Sequence, residues 1–323
     1  MTRLAAMAAA AILLVLGGSA RAEEMALPIA LARGNVMVRA EDGMGDLAQS
    51  VAREAKGALE EIAADLPELV VPRRIEIRLV KRAEDLARAA PAGRGVPPWA
   101  IGVAYPDLGV VVVAYRRGPM PADVRSTVRH ELAHLALGAA LGSRAPRWLH
   151  EGFAYLHSSD FSIDRTRTLT GMAWTGDVIP LYELDDSFPA AENAAERAYA
   201  ESYDFVAFLA KRGRSVEHDD DGNRWPFRRF LALVAGGTPI DTAARQAFSA
   251  DLVHLFAEWK DTLRQRYLML PAGLLGLAIW VLAAVLLVLA YLRKKRLSRQ
   301  TLARWEVEEQ GHSEPPPPPP VLH

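Results

Sequence analysis

The chain has 323 residues, of which 50% are hydrophobic and 24% are charged, and its formal net charge is −1. This composition is typical of a globular protein and excludes a disordered or fibrous one. The near-neutral charge gives no electrostatic reason to expect nucleic acid as a partner, and none is predicted. Because cysteine is absent, a disulfide scaffold, a cysteine-ligated metal site and a thiol nucleophile are excluded.

Both ends of the chain carry segments typical of an exported, membrane-anchored protein. Residues 1–22 combine Arg3, an apolar stretch and a small-residue ending, which predicts a signal peptide cleaved after Ala22. An uncleaved anchor helix is the alternative. Residues 272–292 contain no charged residue and, at about 1.5 Å per residue, are long enough to cross a hydrocarbon core of about 30 Å. We predict a transmembrane helix there; a buried core helix, which rarely stays apolar on every face, is the alternative.

Basic residues beside the predicted transmembrane helix indicate its orientation. The tail, residues 293–323, begins with an Arg-Lys-Lys-Arg run, and the positive-inside rule therefore places it in the cytoplasm. We predict a single-pass protein of the cell membrane with a periplasmic or extracellular N-terminal domain. Arginine is far commoner than lysine, which indicates a bacterial source. Within the tail, Pro315–Pro320 predicts a polyproline II segment that either docks in the aromatic groove of a partner or stays solvated without one.

Between these ends, the pattern predicts mixed α/β structure before residue 120 and helices after it. Four segments alternate in polarity or are rich in β-branched residues and are predicted strands: 35–39, 75–80, 101–105 and 109–115. Helical spacing over 47–66, ended by Pro67, completes a β-α-β unit, and the turn between the last two strands predicts a hairpin. A helix is predicted over 123–141, closed by Gly142, and Pro146 begins the next helix after a short turn.

The first of these two helices carries two histidines and a glutamate in a pattern suited to metal chemistry. His130 and His134 are four residues apart, so both imidazoles lie on one helical face and can bind one zinc ion. Glu131 is rotated by about 100° from His130, so it need not be a ligand, yet it lies close enough to take a proton from a zinc-bound water. The alternative for either histidine taken singly is a buried histidine of the core, and the alternative for Glu131 is a glutamate on the surface.

A hydrolytic zinc site needs a third protein ligand and an open position for water. Glu151, on the second helix just past the turn, is the predicted ligand. His150 and His157 are competing candidates. Because adjacent helical residues point about 100° apart, only one of residues 150 and 151 can face the metal.

The segments H-E-L-A-H at 130–134 and W-L-H-E-G-F-A at 148–154 resemble the gluzincin metallopeptidases, specifically the peptidase MA-like group related to the M1 aminopeptidases. The similarity covers about residues 101–266. It implies the ligands His130, His134 and Glu151 for Zn²⁺ and Glu131 as the catalytic base. It also implies an α+β fold like that of thermolysin and the M1 enzymes, with an active-site helix pair and a C-terminal helical part. Residues 23–100 are then the N-terminal mixed β-sheet part.

A further segment, beginning A-Y-A-E-S-Y at residue 198, resembles the helix that carries a catalytic tyrosine in this family. The resemblance implies that Tyr199 donates a hydrogen bond to the oxyanion. Tyr203, four residues later on the same face, is the rival candidate, and a tyrosine that only packs its helix against the core is the structural alternative.

The predicted function is zinc-dependent hydrolysis of peptide bonds in a peptide or protein substrate outside the cytoplasm. A catalytically inactive zinc- or peptide-binding pseudopeptidase of the cell envelope is the alternative. An intramembrane protease is disfavoured, because the histidine motif lies about 140 residues before the predicted span, in a helix with Arg125 and Arg129. The chain has no G-A-M-E-N-like segment, which in the M1 aminopeptidases recognises a free substrate N-terminus, and this favours an endopeptidase or a narrow processing role.

Overall fold

The computed structural model describes residues 25, 27–66, 69–70, 72–158, 163–186, 192–212 and 226–312. The predicted signal peptide, 1–22, and the Pro315–Pro320 run lie outside the described residues. The chain divides into two units, one ending at Arg264 and one beginning at Gln265. The structure is of mixed α/β class and mostly helical.

The first unit contains a mixed six-stranded sheet. Its strands are β1 (Ile29–Arg33), β2 (Val36–Ala40), β3 (Ile75–Arg82), β4 (Gly102–Tyr105), β5 (Val110–Arg117) and β6 (Met120–Pro121). Their order is β1-β2-β3-β5-β4, with β6 paired to β5. The pairs β2/β3 and β3/β5 are parallel, and the remaining pairs are antiparallel. Strand β4 therefore lies at an edge of the described sheet.

Helices cover the sheet and then make up the rest of this unit. In chain order they are α1 (Gly45–Ala63), α2 (Leu86–Ala89), α3 (Val124–Leu141), α4 (Arg147–His157), α5 (Ile163–Thr175), α6 (Glu183–Asp186), α7 (Glu192–Lys211), α8 (Pro226–Ala235), α9 (Ile240–Phe248) and α10 (Leu252–Arg264). Helix α1 connects the parallel strands β2 and β3, so the predicted β-α-β unit is confirmed.

The valines of β5 explain why this strand lies inside the sheet. Val110 and Val112 pack with Leu86 of α2 in one apolar cluster. Val111 and Val113 point to the opposite face, because side chains alternate along a strand, and both are fully buried. The sequence of a strand buried on both faces is a continuous run of β-branched residues rather than an alternation of apolar and polar residues.

The sheet contains two strands that the sequence-based prediction lacked, β1 and β6. Strand β1 joins β2 through a tight turn at Gly34, whose φ of 62° is in the left-handed region that favours glycine. The sheet also runs across residue 100, because β3 pairs with β5. Strands β1 to β3, before residue 100, and strands β4 to β6, after it, therefore share one sheet.

The second unit contains a π-helical turn, Gln265–Met269, and a 43-residue helix, α11 (Leu270–His312). Within α11, Leu275–Glu306 is long and apolar enough to cross a membrane and is the one candidate span among the described residues. The predicted transmembrane helix, 272–292, lies inside α11, which continues as a helix into the basic tail.

Candidate metal centre and cleft

Helix α3 is anchored so that its histidines face outward from the sheet. Asp123 caps its first turn by accepting hydrogen bonds from the backbone N–H groups of Arg125 and Ser126, each at 3.1 Å. Apolar residues at helical spacing, including Val128 and Leu132, are buried. The face that carries His130 and His134 is left at the border of a cleft.

Helix α4 begins at Arg147, with Pro146 at the preceding cap position rather than in the first turn. It packs against both α3 and α7. A Cβ on Gly152 would lie 2.3 Å from the backbone oxygen of Ser202 and 2.4 Å from Val206 Cγ2. Only a glycine therefore permits this close approach of α4 to α7, and the approach brings Glu151 and Tyr199 into the same cleft.

The two helices bring three potential ligand atoms together. His130 Nε2 lies 3.1 Å from His134 Nε2, and Glu151 Oε2 lies 3.5 Å from His134 Nε2 and 4.0 Å from His130 Nε2. All three side chains place their ligand atoms within 4.8 Å of one another. Two ligands bound at about 2.0–2.1 Å to a tetrahedral metal lie about 3.3 Å apart. The group therefore fits one small divalent ion.

The pKa values of the three side chains are shifted in different directions. Burial by itself lowers the pKa of His134, but the neighbouring Glu151 carboxylate outweighs it and raises that pKa above its usual value. Burial lowers the pKa of His130 to about 3, which leaves its imidazole neutral at neutral pH. Burial by itself raises the pKa of Glu151, but the neighbouring His134 outweighs it and brings the pKa down to about 2. A neutral imidazole and an ionised carboxylate are the forms that ligate metals.

Glu131 lies beside these residues and is held by the edge strand β4. Its side chain is buried, with 7% of the residue exposed, and its carboxylate accepts a hydrogen bond from the backbone N–H of Ala104. A Cβ on Gly102 would lie 2.7 Å from Glu131 Oε1 and 2.8 Å from Thr127 Cγ2. Burial raises the pKa of Glu131 to about 7, so the carboxylate can accept and release a proton near neutral pH.

The cleft in front of these residues has a volume of about 650 Å³. Segment 97–106, which includes β4, forms one wall. The backbone oxygen of Ile101 accepts a hydrogen bond from Ala114 of β5 at 2.8 Å. Because hydrogen-bonding directions alternate along a strand, the backbone groups of Gly102 and Ala104 face the free edge.

Two tyrosines line the cleft on the side of the candidate metal ligands. Tyr199 is the tyrosine that the sequence singled out, and Arg147 donates a hydrogen bond to its phenol. Burial raises the pKa of Tyr199, so the phenol keeps its proton at neutral pH. Tyr203, its rival, instead packs its ring under the Arg165 guanidinium, 4.5 Å from the ring centroid.

Tyr155 was missed by the sequence reasoning. Its ring meets the His130 ring edge-on at a centroid distance of 4.5 Å, and it lies 5.7 Å from the Tyr199 ring. Tyr155 follows Glu151 by four residues on α4, so helical spacing alone places both on one face. That spacing is the signal in the sequence by which Tyr155 could have been found.

The two other candidates for a third ligand do not belong to the group of possible metal ligands. His150 lines the cleft with its ring 6.1 Å from that of His134, and burial lowers its pKa to about 4. His157 pairs with Asp65, with 3.4 Å between Nε2 and Oδ2. Among the described residues, the group that can share a metal consists of His130, His134 and Glu151.

Comparison with known proteins gives a family for this part of the chain. The family model of the Peptidase MA superfamily matches residues 71–265, more than half of the chain. The match contains β3 to β6, helices α3 and α4, and the later helices up to α10, and it begins earlier than the residue 101 at which the resemblance in sequence began. Among curated proteins, none matches the chain.

Proposed function

The chain belongs to the Peptidase MA superfamily, and on that premise we propose that it is a membrane-anchored, zinc-dependent peptidase. Its reaction is hydrolysis of peptide bonds by a water molecule from which Glu131 takes a proton. The observation that carries the proposal is the group of His130, His134 and Glu151 beside a buried glutamate. The fold that we propose is of gluzincin type, similar to thermolysin and the M1 aminopeptidases.

Zinc is the proposed metal because the donor set suits it. Two imidazoles and one carboxylate are the protein ligands of known catalytic zinc sites, which keep a further position open. Peptidases of this superfamily are typically zinc-dependent. When bound, zinc supplies a Lewis acid that polarises a carbonyl group and lowers the pKa of water.

Two side chains of the cleft take the remaining catalytic roles in this proposal. Glu131 acts as general base and then as general acid, because its pKa of about 7 lets it exchange a proton near neutral pH. Tyr199 donates a hydrogen bond from its protonated phenol to the oxyanion that forms from the scissile carbonyl. Arg147 holds that phenol in place.

The edge strand β4 offers a binding mode for the substrate. The N–H of Ala104 is taken by Glu131, but the backbone groups of Gly102 and the carbonyl group of Ala104 face the free edge beside it. An extended peptide can pair with such an edge through main-chain hydrogen bonds. Main-chain pairing needs no free terminus, so we propose an endopeptidase or processing activity on peptides or proteins.

The proposed location follows from α11. The uncharged stretch 272–292 of α11 is long enough to cross a bilayer and is followed directly by basic residues, so we propose that the tail is cytoplasmic and that the peptidase unit lies outside the cytoplasm.

The test of the metal site is metal analysis of the full chain purified in detergent. We expect one zinc ion per chain, and we expect His130→Ala combined with His134→Ala to lose it. Asp65→Asn, which changes a partner of His157 rather than the proposed site, is the control and should retain zinc. Stoichiometric zinc in the double variant would contradict the ligand assignment.

The test of the chemistry is digestion of a peptide library by the same preparation. Glu131→Gln should keep zinc and lose at least a hundredfold in activity, the usual scale for a positioned acid-base group. Glu196→Gln, at an exposed position on α7, is the matched control and should behave as wild type. Zinc binding without hydrolysis in the wild type would favour the pseudopeptidase instead.

A further inference from the structure

One part of the cleft is lined by charged side chains and another part by uncharged ones, and the two parts come from different segments of the chain. The charged side chains that line it, Glu131, Arg147 and Glu151, lie with the histidines on α3 and α4. Another wall is formed by segment 97–106, which contains no Asp, Glu, Lys or Arg between Pro97 and Ala104.

From this wall we infer that Trp99 forms a specificity subsite for a large apolar or aromatic side chain of the peptide substrate. The inference rests on the proposed peptidase function and adds a residue preference to it. Trp99 lines the cleft and is 55% exposed. A large indole face that is open to solvent beside a reaction site gains free energy when a second apolar group covers it.

The backbone that carries Trp99 is held in place before any ligand arrives. Arg117 of β5 donates one guanidinium hydrogen bond to the backbone oxygen of Trp99 and a second, at 3.4 Å, to that of Pro98. The backbone N–H of Ala100 donates to the oxygen of Pro97 at 3.0 Å. The two prolines fix their own φ angles. Binding therefore orders little additional chain, and a preorganised aromatic group gives more affinity for the same contact.

The chemistry of the wall selects the kind of side chain that it accepts. Pro97 and Ile101 line the cleft on either side of Trp99. A charged substrate side chain placed there would lose hydration and would meet no charged residue among those of segment 97–106 that line the cleft, which is costly. An aromatic ring or a branched aliphatic group loses nothing by leaving water. The subsite is thus selective for uncharged, bulky residues near the scissile bond.

Another exposed tryptophan of the same unit provides a matched control. Trp174 at the end of α5 is 79% exposed and does not line the cleft. A substitution there removes the same side chain and leaves the proposed subsite intact.

The experiment compares peptide-library digestion by the full chain with that by Trp99→Ala, Trp99→Phe and Trp174→Ala. We expect the wild type to prefer a large apolar residue at one fixed position relative to the cut. For a peptide with phenylalanine at that position, Trp99→Ala should lower kcat/KM about tenfold or more by raising KM. The same peptide with glycine at that position should be cleaved equally well by the wild type and by Trp99→Ala. Trp99→Phe should restore much of the preference, and Trp174→Ala should match the wild type. An unchanged preference in Trp99→Ala would overturn the inference.

A binding measurement separates failure of the subsite from failure of the proposed function. Fluorescence anisotropy of the same two labelled peptides is measured with Glu131→Gln alone and with Glu131→Gln combined with Trp99→Ala. Weaker binding of the phenylalanine peptide by about tenfold in the combined variant supports the subsite even if the wild type cleaves nothing. Equal binding in both backgrounds, or no binding of either peptide, would refute it.

Discussion

Gly102 offers a sharp test of how β4 positions Glu131, the proposed general base. In Gly102→Ala the added Cβ would lie 2.7 Å from Glu131 Oε1 and 2.8 Å from Glu131 Cγ. Ordinary contacts begin near 3.4 Å, so the Glu131 side chain must move by about 0.7 Å or β4 must shift. The carboxylate accepts a hydrogen bond from Ala104 on the same strand, so either movement disturbs the position of the base.

A misplacement of about 1 Å in a catalytic group costs on the order of a hundredfold in rate. For Gly102→Ala we therefore expect kcat to fall by about 10- to 100-fold, while zinc content stays at the wild-type level because no ligand is touched. The assay is steady-state hydrolysis of one peptide, with metal analysis and thermal unfolding on the same samples. Gly95→Ala is the control, since a Cβ at that position would meet nothing within 4 Å. Wild-type kcat in Gly102→Ala would refute the reasoning that β4 holds Glu131 in position.

Three further predictions concern α4, α7 and their contact. Gly152→Ala should destabilise the protein by about 1–3 kcal/mol or more, the usual cost of overpacking, because its Cβ would lie 2.3 Å from a backbone oxygen; chemical denaturation should register this, whereas Gly171→Ala, with nothing within 4 Å, should not lower stability. Tyr199→Phe should lower kcat by about 10²- to 10³-fold with zinc content unchanged, and Tyr203→Phe should have little effect; equal small effects in kinetics would assign both tyrosines a packing role. Glu201 is fully buried, and burial raises its pKa from the usual 4.5 to about 8. The carboxyl group therefore ionises at a lower pH in the unfolded state than in the folded state. Between these two pH values a rise in pH lowers the free energy of unfolding, by on the order of a few kcal/mol in all. Glu201→Gln should therefore stabilise the protein at pH 8 and not at pH 4; a pH-independent difference in melting temperature would contradict this.

Local geometry explains why the sequence was sufficient for part of the site. His130 and His134 share a face because helical spacing places residues four apart together, whatever the helix packs against. The limits of α3 were also readable, since Asp123 supplies the capping carboxylate and Gly142 follows the last turn. These features depend on neighbours within a few residues.

The sequence predicted Glu151 as the third ligand but kept His150 and His157 as competing candidates, because the choice depends on how two helices dock. Glu151, His150 and His157 all lie on α4, and periodicity alone does not say which of its faces meets α3. The close contact that Gly152 permits with α7 fixes the rotation of α4. Only with this rotation fixed does Glu151 Oε2 lie 3.5 Å from His134 Nε2 while His157 pairs with Asp65.

The remaining features of the cleft were decided by the tertiary structure alone. No pattern near Gly102 indicates that its missing side chain leaves room for Glu131, because the two meet only after β4 has paired with β5 and α3 has packed beside it. The contact between Tyr155 and His130 and the place of Trp99 in the cleft wall formed by segment 97–106 likewise depend on packing between distant segments. The sequence determined which chemical groups are available and which of them share a helical face. Packing between distant segments decided which groups meet, because such contacts depend on the docking of whole elements and not on the spacing within one.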